Sequence, residues 1–243
     1  MTISRNIFQT FTSKNQIPTQ YKENINRIIK QNPDWNYQLF DNAELFEFFE
    51  ENLDPSNFNL IKQINPKYGV ILADIFRYLI IYKLGGVYID IKSTLNIPLS
   101  KALKTHYKFL ISQWKNRENE EFSGVGLHRD LSHIPGGEFQ QWHVVAEPQH
   151  PFLKAVLQQV FENIKNYDMF TFGVGRIGVL RLSGPICYTK VIKQILDKHP
   201  HEFLDIEDLG FQYSIFRNTA DRSAHSRLPN HYSKLNEPLV LKN

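Results

Sequence analysis

Four charged residues at close spacing are the part of this sequence best suited to chemistry. Asp74 and Arg77 are three residues apart, and Asp90 and Lys92 are two residues apart. Carboxylates bind hard divalent cations and accept hydrogen bonds from hydroxyl groups. A cation placed in advance stabilises negative charge that grows on a leaving group. The set could therefore bind a polar, anionic substrate and assist the departure of an anionic group.

The first pair of charged residues needs a helix to position it. Apolar residues recur at helical spacing, at Ile75, Leu79 and Tyr82. Asp74 and Arg77, three residues apart, then share another face of the same helix. Gly85 is a natural helix stop, because glycine tolerates the left-handed conformation that closes a helix. The pattern predicts a helix that ends at Gly85 with the two charged side chains next to each other.

The second pair needs a strand. Val87-Tyr88-Ile89 is a β-branched and aromatic run that favours a buried strand. Asp90 follows directly, at the end of the strand where α/β sheets place ligand-binding groups. If the strand continues, Asp90 and Lys92 project to the same side.

The tract from residue 73 to residue 92 resembles the glycosyltransferases with a DXD sugar-binding region. This is the family of the fungal outer-chain α-mannosyltransferases and of related bacterial and viral enzymes of the capsular type. The sequence matches the family pattern at Ala73, Asp74, Arg77, Tyr78, Gly85, Gly86, Tyr88 and Asp90. It departs at Lys92, where the family has the second carboxylate.

Other segments are similar to the same family. Residues 6–11 resemble its opening strand, with Phe11 in place of a tryptophan, and residues 32–41 resemble its second strand. Three later blocks also agree: Gln141-Trp142, His150-Pro151-Phe152 and Ser183-Gly184-Pro185. The resemblance covers roughly residues 5 to 190, which is more than one chance motif would give.

The resemblance implies an activity and a role for each matched residue. It implies transfer of a hexose from a UDP- or GDP-sugar to a glycan or glycolipid acceptor, with retention at the anomeric carbon. Asp90 would be the first DXD carboxylate, contacting a metal or the donor ribose, and Asp74 and Arg77 would hydrogen-bond the donor sugar. Tyr88 would support the site from its strand, and Phe11 would lie near the nucleotide base.

Lys92 leaves three interpretations open. The family uses Mn²⁺ or Mg²⁺, and such a metal could be held by Asp90 with ligands from elsewhere, His231 or Asn236. Alternatively, the Lys92 ammonium itself approaches the diphosphate and takes the electrostatic role of the metal. In the third interpretation Lys92 is a solvated side chain paired with Asp90.

Composition and element order predict one α/β domain over residues 1–243. The chain has 42% hydrophobic residues, enough for one sizeable core, and apolar patterns of helix and strand type alternate along it. We expect a GT-A type, Rossmann-like fold with a mixed, mostly parallel sheet and helices on both sides. Predicted helices are 18–30, 42–50 and 98–103, and predicted strands are 37–40 and 109–111.

The charge balance and the lack of targeting signals limit the partners and the cell compartment that the sequence predicts. The chain has 28 Lys and Arg against 25 Asp and Glu. This excess of positive charge is too small to indicate nucleic-acid binding, although a basic patch could touch an anionic membrane surface. Cys187 is the only cysteine, so no intrachain disulfide can form. No apolar run is suited to secretion or to a membrane span, and we expect a cytoplasmic protein.

Rival functions come from other classes. Residues 173–178 read G-x-G-x-x-G, the fingerprint of NAD(P)-dependent oxidoreductases, but they do not follow the first strand of a βαβ unit. We expect a loop there, before a helix that contains Ser183-Gly184-Pro185. A catalytically inactive relative that binds a nucleotide-sugar or carbohydrate is a second rival, which Lys92 favours. A structural or interaction module of the same fold is a third.

Overall fold

The computed structural model describes residues 3–216 and 232–241. These residues contain the strands β1 (Asn6–Thr10), β2 (Asn36–Phe40), β3 (Gly86–Ile89), β4 (Thr94–Leu95), β5 (Leu110–Ile111), β6 (His143–Ala146), β7 (Glu202–Phe203) and β8 (Phe211–Gln212). They also contain the helices α1 (Thr19–Gln31), α2 (Asn42–Asn52), α3 (Pro55–Lys62), α4 (Gly69–Leu84), α5 (Leu99–Ala102), α6 (Pro151–Lys165), α7 (Met169–Phe172), α8 (Gly175–Leu182) and α9 (Pro185–Ile195). The helices predicted at 18–30, 42–50 and 98–103 and the strands predicted at 37–40 and 109–111 are present, with ends shifted by one or two residues. The helix predicted to contain Ser183-Gly184-Pro185 is interrupted there, because α8 ends at Leu182 and α9 begins at Pro185.

A four-stranded sheet in the order β2-β1-β3-β6 forms the centre of the fold. β1 pairs in parallel with both β2 and β3, and β6 pairs antiparallel with β3. Two small two-stranded sheets, β4 with β8 and β5 with β7, lie outside it. The predicted mixed, mostly parallel sheet with flanking helices is confirmed.

Alternating side chains of the central strands pack into two separate cores on opposite faces of the sheet. Phe8, Tyr88 and Val144 point into one core, which packs against α4, α6, α8 and α9. Their strand neighbours Ile7, Val87 and Val145 point into the other core, together with Ile28 of α1. Successive side chains in a strand face opposite ways, so each strand is buried on both sides. The sheet therefore has helices on both faces, as the sequence predicts.

Gly85 makes the connection between α4 and β3 possible. Its φ is +64° and its ψ is 175°, a combination that is essentially restricted to glycine. A Cβ on Gly85 would lie 2.6 Å from Cδ of Pro148. The predicted end of the helix at Gly85 is confirmed, and β3, the strand that precedes Asp90, begins at the next residue.

The glycine-rich segment 173–178 differs from the predicted loop. Helix α7 ends at Phe172, and α8 already begins at Gly175, so only Gly173 and Val174 connect them. A Cβ on Gly175 would lie 2.7 Å from the carbonyl oxygen of Leu235, and one on Gly178 would lie 2.7 Å from that of Gly173. These glycines permit close backbone packing. No strand leads into the segment, so the context that a dinucleotide fingerprint requires is missing.

Among the described residues, no helix combines the length and the apolar character needed to cross a bilayer.

Two buried histidines predict a loss of stability in acid. Both His143, on β6, and His150, at the start of α6, are at most 2% exposed. Burial lowers the pKa of His143 to about 3 and that of His150 to about 4. The unfolded chain binds a proton at each imidazole below about pH 6.5, whereas the folded chain does not. The free energy of unfolding should therefore fall with pH in this window, by about 1.4 kcal/mol per pH unit for each histidine.

Urea unfolding at pH 7, 6 and 5 tests this expectation. The double variant His143→Gln, His150→Asn should lose stability with falling pH less steeply than the wild type, by about 2.7 kcal/mol per pH unit near pH 5 and by roughly half as much between pH 7 and pH 6. The surface variant His106→Gln should keep the wild-type slope. Equal slopes for the double variant and the wild type would contradict the assignment.

Candidate functional site

The guanidinium of Arg77 is the centre of the candidate site. Its Nη2 lies 3.4 Å from Oδ1 of Asp74 and 3.2 Å from Oδ1 of Asp90. Its Nη1 donates a 2.6 Å hydrogen bond to the carbonyl oxygen of Gln141, and its Nε donates to that of Ala73 at 3.3 Å. One buried cation thus joins a carboxylate of α4 to the carboxylate that follows β3.

Asp74 is a buried member of this network. It is 1% exposed, and its carboxylate accepts hydrogen bonds from Nε2 of Gln141 at 3.2 Å and from Oγ of Ser183 at 2.8 Å. Burial raises the pKa of the Asp74 carboxyl, while Arg77 and these hydrogen bonds act in the opposite direction. The residues predicted to share a helix face do so, and they are paired with each other.

Tyr88 supports the network from β3. Its ring centroid lies 4.9 Å from Cζ of Arg77, and its hydroxyl lies 3.3 Å from Oγ1 of Thr10. Burial raises the pKa of Tyr88 to about 12. The face of the Tyr88 ring and the carboxylates of Asp74 and Asp90 together surround the guanidinium of Arg77, and Arg77 as a whole is 5% exposed.

Asp90 is the acid of this cluster that reaches solvent, with a side chain 25% exposed. Its backbone is fixed on three sides. The N–H of Asp90 donates to the carbonyl oxygen of Trp142 at 2.8 Å, and its carbonyl oxygen accepts from the N–H of Ser93 at 2.8 Å and from Nε2 of Gln9 at 3.1 Å. The bond from Ser93 closes a turn, so the strand does not continue. Asp90 and Lys92 consequently lie in a turn, where the two-residue spacing of a strand no longer sets their directions.

Lys92 binds a tyrosine from the C-terminal part of the chain. Its Nζ donates a 2.7 Å hydrogen bond to the hydroxyl of Tyr213 and lies 4.2 Å from the centroid of that ring. Burial lowers the pKa of Lys92, but Tyr213 and Asp90 outweigh this effect and the net shift is upward. Lys92 is therefore an ammonium at neutral pH. Among the described residues, the ion-pair partner of Asp90 is Arg77, not Lys92.

Tyr213 is itself held in an aromatic cluster. Its ring packs against Trp114 at 4.9 Å, Trp142 at 5.6 Å and Phe122 at 6.1 Å between centroids. Two hydrogen bonds also join the backbone near Tyr213 to the turn after β3. The N–H of Ile215 donates to the carbonyl oxygen of Lys92 at 2.8 Å, and Oγ of Ser93 donates to that of Tyr213 at 2.7 Å.

Phe11 lies beside this turn, in a small apolar cluster. Its ring is 5.9 Å from that of Tyr21, which is 6.0 Å from that of Phe216. Ile91 and Ile215 pack against the same cluster. The residue predicted to lie near a nucleotide base is thus close in space to the turn that carries Asp90.

The described residues do not fit a divalent cation. No group of three His, Cys, Asp or Glu side chains within residues 3–216 and 232–241 could hold one. Asp74 is fully engaged, Asp90 is paired with Arg77, and a lysine stands at the second position. Asn236 is exposed, and the predicted ligand His231 lies outside the described residues.

Sequence reasoning gave no role to three residues of the site. Gln141 and Ser183 fall in segments that resemble family blocks, so their positions could have indicated that they belong to the site. Tyr213 lies in no recognisable block and reaches Lys92 from 121 positions away. No spacing pattern could have revealed that contact.

Known proteins are similar in sequence to this chain. Residues 18–110 match the family described as "glycosyltransferase sugar-binding region containing DXD motif". The chain is 26% identical over 192 residues to the mannosyl phosphorylinositol ceramide synthase of Saccharomyces cerevisiae, covering 79% of this chain and 42% of that protein. It is 30% identical over 184 residues to inositol phosphoceramide mannosyltransferase 3 of Schizosaccharomyces pombe, covering 76% and 43%. The chain thus spans less than half the length of these relatives.

Solved structures share the fold. The PaToxG glycosyltransferase superposes with a TM-score of 0.54 at 16% identity, covering 80% of this chain and 70% of that one. The ligand-free glycosyltransferase domain of the YGT toxin gives a TM-score of 0.52 at 11% identity, covering 83% and 80%. The chain is therefore similar to the glycosyltransferases with a DXD-type sugar-binding region and shares their fold, with Lys92 in place of the second carboxylate.

Proposed function

We propose that this protein transfers a hexose from a UDP- or GDP-sugar to a glycan or glycolipid acceptor, with retention at the anomeric carbon. The observation that carries the proposal is the Arg77 network, which fixes Asp90 at the end of β3 beside the Lys92 ammonium. Two relatives are named for mannose transfer to inositol phosphoceramide, so mannose is the first sugar to test and an inositol-containing sphingolipid the first acceptor.

Asp90 would contact the donor directly. Its carboxylate is partly exposed and cannot swing freely, because Arg77 holds one oxygen and three backbone hydrogen bonds hold the turn. Such a group can accept hydrogen bonds from ribose or sugar hydroxyls without reorganising. Asp74 and Arg77, predicted to hydrogen-bond the donor sugar, would also keep Asp90 in position.

Lys92 would supply the positive charge that the departing nucleoside diphosphate needs. Negative charge grows on that group as the glycosidic bond breaks, and a cation already in place lowers the barrier. The ammonium is a compact point charge with three N–H donors, and the Tyr213 hydroxyl accepts from one of them. The other two would donate to phosphate oxygens. Tyr213 would act as a positioning residue.

A bound Mn²⁺ or Mg²⁺ is the competing source of positive charge. It would need Asp90, with His231 as a further ligand. The described residues do not complete such a site, so we base no step of the mechanism on a metal.

A second candidate function is nucleotide-sugar or carbohydrate binding without turnover. Lys92 in place of the second DXD carboxylate favours it, because the family resemblance implies that this carboxylate holds the metal. Binding and turnover measured on the same preparation separate the two functions.

Donor hydrolysis by the purified protein is the first test. Among UDP- and GDP-hexoses, one donor should be hydrolysed, and Asp90→Asn should reduce kcat about 10²-fold or more, because a fixed electrostatic contact is lost. Asp54→Asn, at the exposed cap of α3, is the matched control and should keep full activity. Thermal stabilisation by a donor without hydrolysis would indicate the binding function. Equal activity of Asp90→Asn and wild type would contradict the proposed site.

The role of Lys92 has its own test. Lys92→Met should lower kcat about 10²-fold, and Tyr213→Phe, which keeps the ring but removes the hydroxyl, should lower it about tenfold. Lys92→Arg should retain more activity than Lys92→Met because it keeps the charge. Lys83→Met, on the exposed end of α4, serves as the control.

The same assay includes EDTA. Activity should persist in EDTA if Lys92 replaces the metal. Complete loss in EDTA with recovery in Mn²⁺ would refute the Lys92 role and support a metal held by Asp90.

A further inference from the structure

A buried carboxylate lies behind the aromatic cluster of the candidate site. Glu138 is 7% exposed, and within residues 3–216 and 232–241 no lysine or arginine forms an ion pair with it. Its two oxygens bind two ring nitrogens instead. Nε1 of Trp114 donates to Oε1 at 2.7 Å, and Nε2 of His128 lies 2.6 Å from Oε2. Burial of a carboxylate is costly even when it is hydrogen-bonded, so the groups that it fixes indicate its role.

The residue type at position 138 matches these two partners. A carboxylate has two accepting oxygens, whereas the side-chain amide of glutamine has one oxygen that accepts and one nitrogen that donates. The Trp114 indole can only donate. A neutral His128 imidazole can donate or accept at Nε2, depending on its tautomer. The bond from Trp114 is therefore the one that strictly requires an oxygen at this place.

The loop before Glu138 packs closely against both Glu138 and Trp114. Gly126 has a φ of +76°, and a Cβ there would lie 2.7 Å from Cγ of Glu138 and 2.8 Å from Cδ1 of Trp114. The N–H of Glu138 donates to the carbonyl oxygen of Gly126 at 3.0 Å. Nδ2 of Asn116 donates to the carbonyl oxygen of Val125 at 2.8 Å, which fixes the same loop. The indole is thus held by a hydrogen bond at its nitrogen and by close packing beside it.

Trp114 carries this constraint to the candidate site. Its ring meets the ring of Tyr213 edge-on, with centroids 4.9 Å apart and an angle of 85° between the planes. The hydroxyl of Tyr213 accepts the 2.7 Å hydrogen bond from Nζ of Lys92. Three direct contacts therefore lead from the carboxylate of Glu138 to the ammonium of Lys92. Because packed interiors transmit displacements, a shift of the indole would move the Tyr213 hydroxyl.

The same stretch of chain reaches the Arg77 network only through its backbone. Three residues after Glu138, the carbonyl oxygen of Gln141 accepts the 2.6 Å hydrogen bond from Nη1 of Arg77. This contact belongs to the main chain and does not involve the carboxylate of Glu138. A substitution of that carboxylate can therefore act on Lys92 while Asp90 stays paired with Arg77.

We propose that Glu138 is a positioning residue, which holds the Lys92 ammonium at the candidate site through Trp114 and Tyr213. Its effect on sugar transfer rests on the proposed function, in which Lys92 stabilises the departing diphosphate. Both oxygens of the Glu138 carboxylate are engaged by ring nitrogens, so Glu138 is assigned no proton transfer. The position of the ammonium itself can be measured without any transfer activity.

Acetylation of Lys92, followed by mass spectrometry, tests this position directly. Only the unprotonated amine reacts with acetic anhydride. Burial lowers the pKa of Lys92, but Tyr213 and Asp90 outweigh this effect and raise it. Loss of the Tyr213 contact should therefore speed acetylation of Lys92 about threefold, relative to exposed Lys83. We expect this increase in both Glu138→Leu and Tyr213→Phe.

Donor hydrolysis tests the consequence for the reaction. Glu138→Leu should lower kcat about tenfold and leave KM for the donor within about twofold, because Lys92 acts on charge that grows in the transition state. Glu138→Gln should keep kcat within about threefold, since its oxygen still accepts from Trp114 while His128 changes its tautomer. In a Tyr213→Phe background, Glu138→Leu should lower kcat by less than about twofold, because both residues act through one hydroxyl.

The matched control is Glu147→Leu. The Glu147 side chain is 24% exposed and pairs with Lys108 at 2.7 Å rather than with an aromatic residue. This variant should keep wild-type kcat and wild-type acetylation of Lys92. If thermal unfolding shows that Glu138→Leu is not folded, Trp114→Phe takes its place, because it keeps an aromatic ring and lacks the indole N–H.

Two results would overturn the proposal. The first is acetylation of Lys92 at the wild-type rate in Glu138→Leu. The second is an equal loss of kcat in Glu138→Gln and Glu138→Leu, which would mean that the charge of the carboxylate matters and its hold on Trp114 does not. A wild type that hydrolyses no donor would refute the proposed function, whereas the acetylation rates would still decide whether Glu138 positions Lys92.

Discussion

Neutralisation of one buried cation is the constraint on which the rest of the site depends. A guanidinium out of contact with water is costly unless charged and hydrogen-bonding partners surround it. Arg77 obtains these from α4 itself, from the turn after β3 and from the chain entering β6, through Asp74, Asp90 and Gln141. Because three elements must meet at this side chain, their relative placement is fixed. The candidate donor contact, Asp90, is the part of this arrangement that reaches the surface.

The substitution at position 92 changes the electrostatics of the site without disturbing that centre. A carboxylate there would add negative charge near Asp90, whereas Lys92 adds a positive charge that Tyr213 holds in place. The aromatic cluster around Tyr213 excludes water from one side of the ammonium, which strengthens its field on the other side. The site thus presents one carboxylate and one cation side by side, a combination that suits a ligand with both hydroxyl and phosphate groups.

The local parts of this structure could be predicted from sequence, and the distant contacts could not. Helical periodicity and Gly85 predict α4 and its end, and a three-residue spacing predicts that Asp74 and Arg77 are neighbours. These signals operate within a few residues. The turn after Asp90 depends on a hydrogen bond from Ser93 and on support from Gln9, which no periodicity encodes. The sequence does not predict the helix that begins at Gly175, because this glycine serves close packing with Leu235, a partner that is distant in sequence.

The contact between Lys92 and Tyr213 also sets an order of assembly during synthesis. Asp74, Arg77 and Asp90 leave the ribosome within a short stretch of chain, so their ion pairs can form early, as α4 and β3 come together. The hydroxyl that holds Lys92, and the Ile215 N–H that ties the turn, arrive more than 100 residues later. A nascent chain therefore carries the anionic part of its site long before the cationic part is positioned. Such late, long-range closure is a feature of slowly folding topologies, and it delays a complete site until synthesis has passed residue 215.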